Sequence, residues 1–87
     1  MPYSVAFVPS AADSLRKLPA KTRGRVAAKI DALQVEPRPP GVEKLSGQDE
    51  LYRIRSGRYR VIYRITDEVL EVLIVRIGHR RDVYRDL

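Results

Sequence analysis

The C-terminal half of the chain alternates between strand-forming runs and tight turns, and this pattern restricts the fold more than any other feature. Residues 51–55, 59–65 and 69–77 are rich in Val, Ile, Leu and Tyr, and such runs bounded by turn residues predict β-strands. The turns at 56–58 and 66–68 are too short for a parallel crossover, which needs about a dozen residues or more. The sequence therefore predicts an antiparallel three-stranded meander.

The N-terminal half predicts one strand followed by a helical hairpin. A strand is predicted over residues 3–8, where β-formers recur at alternate positions. Ser10 is a residue type that caps helices, and the helix that it begins is expected to run to about Leu18. A second helix is predicted from residue 20 or 21, and Pro37 would stop it. The apolar side chains that recur there at helical spacing are Val26, Ile30 and Leu33.

Together these elements predict a single α+β domain over residues 1–87, in the order β-α-α-β-β-β. An N-terminal helical hairpin would pack on one face of a mostly antiparallel four-stranded sheet. The other face would stay partly open, because too few elements remain to cover it. The Pro-rich segment 37–41 and residues 44–47 are expected to be connector and loop. Gly78 is expected to end the sheet, leaving a short polar tail over residues 79–87.

Arginines fall on one face of the predicted meander, because strand side chains alternate with a period of two. Arg53 and Arg55 share a face with Leu51, and Arg60 lies with Ile62 on the corresponding face of the next strand. Pairing across the first turn can place the three arginines side by side. Burying them without partners would cost free energy, so we expect water or an anion over the cluster. The opposite face, the expected core side, carries Tyr59, Val61, Tyr63 and Ile65.

The third meander strand is apolar on both faces, as a central strand often is. Strict alternation places Leu73, Val75 and Ile77 on one face and Val72, Ile74 and Arg76 on the other. The pattern leaves open which of the two faces the helices cover.

The composition favours a small basic protein of a reducing compartment. The 87 residues carry a net charge of +6 and include no cysteine, which excludes disulfides and thiolate metal sites. Residues 51–87 hold nine arginines and no lysine, and arginine is suited to bidentate contacts with phosphate. No apolar run approaches the roughly 18 residues of a membrane span, and the first residues lack a signal-peptide pattern. We expect a cytoplasmic protein that binds a polyanion such as nucleic acid.

Two segments together carry a resemblance to a known family. Residues 51–65 are Leu-Tyr-Arg-Ile-Arg-Ser-Gly-Arg-Tyr-Arg-Val-Ile-Tyr-Arg-Ile, and residues 75–84 are Val-Arg-Ile-Gly-His-Arg-Arg-Asp-Val-Tyr. This combination resembles the RelE family of toxin–antitoxin toxins, over nearly the whole chain. The resemblance implies a microbial-RNase-like α+β fold and cleavage of mRNA in the ribosomal A site. It also implies an antitoxin, encoded beside the toxin, that wraps it and represses their shared promoter.

The resemblance also implies the residues of the site. In the family, basic residues on the sheet and an arginine and a tyrosine near the C-terminus carry it. The matching positions are Arg53, Arg55, Arg60, Arg80 and Tyr84. His79 stands where some relatives have another basic residue. The residues assigned to catalysis are Arg60, His79, Arg80 and Tyr84. Those assigned to substrate binding are Arg53, Arg55, Arg58, Arg76 and Arg81.

One departure from the family concerns proton transfer. Some relatives have lysines at the places of Arg53 and Arg55. Arginine stays protonated at any working pH, so it cannot be a general base. His79 and Tyr84 are the titratable candidates, and the sequence leaves open which of them acts. The spacing between Arg80 and Tyr84 is also shorter than in some members.

The expected reaction uses neither a metal nor a cofactor, and the acidic residues show no metal-ligand spacing. The 2′-hydroxyl of the RNA would attack the adjacent phosphorus and leave a 2′,3′-cyclic phosphate and a 5′-hydroxyl. Arg60, helped by Arg53 and Arg55, would hold the non-bridging oxygens as their charge grows. Arg80 or His79 would favour departure of the 5′-oxygen.

Two other functions are compatible with the sequence. A toxin of the ParE type shares the fold and much of the Tyr-Arg pattern but poisons DNA gyrase; Arg80 with Tyr84 favours RNA cleavage instead. A catalytically silent module would use basic charge and exposed tyrosines only to bind RNA or DNA. For either toxin, the expected partner is an acidic or amphipathic RelB-like antitoxin segment, through which the complex would bind operator DNA. No membrane partner is expected.

Overall fold

The predicted meander forms the centre of a larger sheet. The computed structural model describes residues 2–45 and 50–85. The elements along the chain are β1 (Ser4–Phe7), α1 (Pro9–Arg16), α2 (Ala20–Ala32), β2 (Glu43–Lys44), β3 (Leu51–Ser56), β4 (Tyr59–Thr66), a 3-10 turn (Asp67–Val69) and β5 (Glu71–His79). The strand order is β1-β5-β4-β3-β2, in which β1 is parallel to β5 and the other neighbours are antiparallel. This confirms the predicted α+β arrangement of two helices on a mostly antiparallel sheet.

The sheet has five strands rather than the predicted four. Glu43 pairs with Arg53 and Lys44 with Tyr52, so β2 is an edge strand in a segment predicted as connector and loop. A strand of two residues has no periodicity that a sequence pattern could reveal. The last two residues of the predicted loop, at 46–47, lie outside the described residues.

The first helix begins at a proline rather than at a capping hydroxyl. Val8 is the N-cap of α1 and Pro9 its first residue, so the predicted N-cap role of Ser10 is wrong. Proline suits that position because its φ is already helical and its missing N–H would have no partner there. α1 ends at Arg16, shortly before the predicted end, and α2 starts at Ala20, as predicted. Among the described residues, neither helix has the length and apolarity to cross a membrane.

The two helices cover one face of the sheet and form the main core. The α2-side residues Val26, Ile30 and Leu33 are each at most 2% exposed, as their spacing predicts. The sheet residues buried in the same cluster are Ile54, Val61, Tyr63, Ile65, Val72, Ile74 and Ile77. The predicted core face of β4 is therefore confirmed. Burial raises the pKa of Tyr63, and its hydroxyl donates to the Pro37 carbonyl oxygen at 2.7 Å, which avoids an unpaired buried polar group.

A β-bulge in β5 changes which of its side chains face the helices. Ile62 pairs with Arg76, but the next residue of β4 pairs with Ile74, so Val75 has no opposite residue. An extra residue in one strand shifts the alternation by one position. Ile77 therefore joins the helix-side core together with Ile74, and Arg76 lies on the open face beside Ile62. The strict alternation predicted for this strand is wrong beyond the bulge.

β5 is also displaced along the chain relative to the prediction. The 3-10 turn and Leu70, which has a left-handed φ of 52°, occupy its predicted start. The strand continues through Gly78 to His79, so Gly78 does not end the sheet. Gly78 pairs with Arg60 and faces the returning tail, where a Cβ would lie 3.5 Å from Val83. That distance is an ordinary van der Waals contact, so the packed tail does not by itself require glycine at this position.

The C-terminal tail folds back over part of the open face. The backbone N–H groups of Asp82 and Val83 donate to the His79 carbonyl oxygen at 2.8 and 2.9 Å, which reverses the chain. Val83 is 2% exposed and packs with Leu51 and Ile62 in a second, small apolar cluster. The tail thus covers the apolar part of the predicted open face, and the arginines of that face stay near the surface.

A polar clamp ties the Pro-rich connector to the sheet. The Asp67 carboxylate accepts hydrogen bonds from the Tyr3 hydroxyl at 2.6 Å and from Arg38 at 2.9 and 3.3 Å. Arg38 also donates from Nε to the Tyr52 hydroxyl at 3.3 Å, and its Cζ lies 5.3 Å from the Tyr52 ring centroid. The bonds from Arg38, and then from Tyr3, hold the pKa of Asp67 below its usual range. The clamp anchors the connector just before β2.

Protonation of Asp67 in the clamp is expected to make the stability of the protein depend on pH under acidic conditions. The pKa of Asp67 is lower in the folded chain than the ordinary value of 3.8. Its contribution to stability is therefore present above that value and is lost as the pH falls through the lower, folded-state pKa. Asp67→Asn should flatten the plot of Tm against pH below about pH 4. Asp31→Asn, at an exposed position without an ion pair among the described residues, should keep the wild-type slope. A wild-type slope in Asp67→Asn would contradict the clamp.

Candidate functional site

Two rows of residues cross the open face beside the returning tail. The first row consists of Glu43, Arg53, Ile62 and Arg76, one from each of β2, β3, β4 and β5. The second row consists of Arg55, Arg60 and Gly78. Opposite residues of antiparallel strands have Cα atoms about 4.5–5.5 Å apart. The register therefore brings Arg53, Arg55 and Arg60 together on one face, as the alternation predicts.

Arg53 is held between a carboxylate and a phenol. Its Nη2 lies 2.5 Å from Oε2 of Glu43, and its Nη1 donates a hydrogen bond to the Tyr84 hydroxyl. The Cζ atom of Arg53 lies 5.7 Å from the centroid of the Tyr84 ring. The hydrogen bond to Tyr84, and then the one to Glu43, raise the pKa of Arg53, whose side chain is 23% exposed. Two nitrogens of this guanidinium are therefore occupied within the protein.

Arg60 and its neighbours present positive charge around the β3–β4 turn. Nη1 of Arg60 donates to the carbonyl oxygens of Gly57 and Tyr59, each at 3.0 Å. The Arg80 backbone N–H donates to the Arg58 carbonyl oxygen at 2.8 Å, which brings the tail to the same turn. The exposed arginines here are Arg55, Arg58, Arg80 and Arg81. Within residues 2–45 and 50–85, no carboxylate forms an ion pair with any of these arginines. Their charge is therefore available to a phosphate.

Arg76 holds the tail by hydrogen bonds to its backbone carbonyl oxygens. Its Nη1 donates to the Val83 carbonyl oxygen at 3.3 Å and to the Arg85 carbonyl oxygen. These bonds flank Tyr84 on both sides along the chain, while the Val83 side chain is inserted into the small apolar cluster. Arg76 is thus bound to the tail backbone on both sides of Tyr84, whereas Arg55, Arg58 and Arg81 of the predicted substrate-binding set are exposed.

His79 lies on the face opposite Tyr84. It pairs with Tyr59 across β4 and β5, and the two ring centroids are 5.8 Å apart at an interplanar angle of 81°. Tyr59 packs against the helix-side core. Nδ1 of His79 accepts a hydrogen bond from the Arg81 backbone N–H at 3.2 Å, so the proton of the neutral ring lies on Nε2. Of the two predicted proton carriers, the structure brings only Tyr84 to the open face with Arg53.

Two residues that shape this surface carry little sequence signal. Glu43 reaches Arg53 only because β2 pairs with β3. Val83 is buried only because the tail turns back over the sheet. Val83 is an apolar residue in a polar tail, which is a weak sequence signal for its burial. No local pattern indicates that Glu43 pairs with Arg53.

Comparison with known proteins agrees with this architecture. Residues 5–84 match the protein-family model described as the ParE toxin of type II toxin–antitoxin system, parDE. The chain is 37% identical to Toxin RelG of Mycobacterium tuberculosis, over 98% of this chain and 99% of the relative. It is 31% identical to the mRNA interferase toxin RelE of Escherichia coli, over 99% of this chain and 94% of the relative.

A solved structure extends the similarity to three dimensions. The archaeal RelE–RelB complex from Pyrococcus horikoshii OT3 contains a chain that superposes with a TM-score of 0.82 at 32% identity. The match covers 95% of this chain and 100% of that chain. The family model and the two named relatives each span almost the full length of the sequence. The chain therefore belongs to the RelE/ParE superfamily, as a RelE-type toxin of a type II toxin–antitoxin system.

Proposed function

We propose that this toxin is an endoribonuclease that cleaves mRNA on the ribosome and thereby inhibits translation in the cytoplasm. The observation that carries the proposal is the Tyr84 phenol, held by Arg53 on the sheet face that also bears Arg60. A phenol can transfer a proton, and guanidiniums bind phosphate. One surface therefore offers both kinds of group that phosphodiester cleavage needs. The Escherichia coli relative named an mRNA interferase supports the same activity.

The placement of the side chains suggests a role for each. The RNA 2′-hydroxyl attacks the adjacent phosphorus, the bond from phosphorus to the 5′-oxygen breaks, and a 2′,3′-cyclic phosphate forms. Tyr84 receives the 2′-hydroxyl proton as a phenolate and becomes the neutral phenol, and before the transfer its oxygen lies against the Arg53 guanidinium. Arg60, with Arg55, holds the non-bridging oxygens as their charge grows. Arg80 stabilises the departing 5′-oxygen, which water protonates.

The exposed arginines outside these roles would guide the RNA backbone. Arg58 lies in the β3–β4 turn, where its carbonyl oxygen accepts a hydrogen bond from the Arg80 backbone N–H, and Arg81 follows Arg80 on the tail. We assign proton transfer to Tyr84 rather than to His79, because His79 contacts Tyr59 on the other face of β5.

The chemistry of the cut ends tests the proposal. Purified toxin should cleave a reporter mRNA on translating ribosomes, with new ends that primer extension maps within the open reading frame. Each new 3′ end should carry a 2′,3′-cyclic phosphate and each new 5′ end a free hydroxyl, because the attacking oxygen comes from the RNA itself. The same mRNA hydrolysed by alkali provides a marker with these ends at every position. Products with a 5′-phosphate would contradict the mechanism. Salt-dependent RNA binding without any cleavage would indicate a silent binding module.

A second candidate function is action on DNA gyrase, because the matching family model describes ParE toxins. The test is an assay for protein-linked DNA breaks with purified gyrase and supercoiled plasmid. Breaks that depend on this toxin, together with intact ribosome-bound mRNA, would favour the gyrase function over RNA cleavage.

We also propose a RelB-like antitoxin as the protein partner, as in the Pyrococcus horikoshii complex. The chain carries a net charge of +6, which favours an acidic or amphipathic segment through complementary charge. Operator DNA would then be bound by the antitoxin in the complex. Co-purification with the product of the adjacent gene, and loss of mRNA cleavage in that complex, would test this partner.

A further inference from the structure

We propose that Glu43 is a positioning residue for RNA cleavage, which acts through Arg53 to hold the Tyr84 hydroxyl in place. The inference rests on the proposed ribonuclease function. Glu43 contributes its carboxylate from β2, the edge strand that pairs with β3. It touches neither the phenol nor the exposed arginines in this arrangement, so its effect on the reaction must pass through the guanidinium between them.

The three side chains form a series of carboxylate, guanidinium and phenol. Glu43 Oε2 lies 2.5 Å from Nη2 of Arg53, and Nη1 of the same guanidinium donates to the Tyr84 hydroxyl. Nε of Arg53 is buried and has no hydrogen-bond partner among the described residues. The polar contacts that orient the guanidinium are therefore those of Nη1 with Tyr84 and of Nη2 with Glu43. Removing the carboxylate removes one of these two anchors.

The position of Glu43 is otherwise unfavourable for an RNA-binding surface. Its side chain is 56% exposed beside a face rich in arginine, where a negative charge repels phosphate and weakens RNA binding. By pairing with Arg53, however, it keeps that guanidinium directed toward Tyr84 instead of toward the RNA backbone. Glu43 should therefore favour the chemical step while slightly weakening binding, a combination that a purely structural residue would not produce.

Steady-state cleavage of ribosome-bound mRNA, from which kcat and KM are obtained separately, can distinguish these two effects. Glu43→Ala should lower kcat about 10- to 100-fold, the range expected when a reacting group is misplaced by up to about an ångström, while KM stays equal or falls. Glu43→Gln retains an oxygen acceptor for Nη2 and should recover most of kcat. Glu68→Ala removes the same charge from an exposed position in the 3-10 turn and should keep the wild-type kcat. Equal kcat values in Glu43→Ala and wild type, or equal losses in Glu43→Ala and Glu68→Ala, would overturn the proposal.

A Tyr84→Phe background tests the route of the effect. If Glu43 acts through Arg53 on the phenol, Glu43→Ala should cause little further loss of kcat once the hydroxyl is gone. A full additional 10- to 100-fold loss in that background would overturn the proposed route.

An NMR measurement tests the positioning role of Glu43 without an activity assay. In the ¹⁵N NMR spectrum of the folded toxin, the two Nη groups of Arg53 should give separate signals, because hydrogen bonds at both ends slow guanidinium rotation. Glu43→Ala should merge them, whereas Glu68→Ala should not. If the wild-type toxin fails to cleave RNA, the proposed function fails, yet this measurement still reports whether Glu43 orients Arg53. Merged signals in the wild type would overturn the positioning role even in an active ribonuclease.

Discussion

Arg60→Ala is expected to lower the rate of mRNA cleavage on the order of 100- to 1,000-fold, the usual loss when one donor to a developing oxyanion is removed. Arg60 lies in the same cross-strand row as Arg55, and within the described residues no carboxylate pairs with it. Its two carbonyl partners fix the guanidinium at the β3–β4 turn without neutralising it. The measurement is the single-turnover cleavage rate of ribosome-bound mRNA at saturating toxin.

Arg64→Ala is the matched control for this prediction. Arg64 lies on the same strand and, by alternation, on the same face, but it pairs with Leu51 and Leu73 at the far end of the meander. Both variants remove one positive charge, so both should weaken RNA binding to a similar extent. Only Arg60→Ala should reduce the rate at saturation. Equal rates at saturation for the two variants would place the phosphate site elsewhere.

Tyr84→Phe should reduce cleavage about 100-fold or more, because general acid–base assistance typically contributes about 100- to 10,000-fold. The change removes a single hydroxyl from a side chain that is 38% exposed. It leaves the neighbouring Val83 in its apolar cluster, so the midpoint of urea unfolding should barely move. The rate loss should appear in kcat, with KM nearly unchanged.

Tyr3→Phe controls for loss of a tyrosine hydroxyl in general. Its hydroxyl donates to Asp67 in the clamp, away from the open face, so cleavage should proceed at the wild-type rate. A Tyr84→Phe toxin that cleaves as fast as Tyr3→Phe would remove Tyr84 from the mechanism. His79 would then be the remaining titratable candidate, despite its contact with Tyr59 on the other face.

The order of elements and the arginine-bearing face of the meander follow from local properties of the sequence. Strand alternation and a turn of a few residues involve only neighbours along the chain, so the sequence alone places Arg53, Arg55 and Arg60 on one face. The core face of β4 follows in the same way, and so does the helical spacing of Val26 and Ile30. Family resemblance added the candidate roles of Arg60 and Tyr84, which stay predictions until the variants are measured.

The composition of the site depends on contacts between distant segments, which no local pattern contains. The return of the tail buries Val83, and Glu43 meets Arg53 only through an edge strand of two residues.

The bulge at Val75 has the largest consequence for the site. Leu73 is opposite Arg64 on the open face, so an uninterrupted alternation would have carried His79 to that face as well. One extra residue shifts the alternation and turns the imidazole toward Tyr59, so that Tyr84 is the predicted proton carrier that lies beside the arginines.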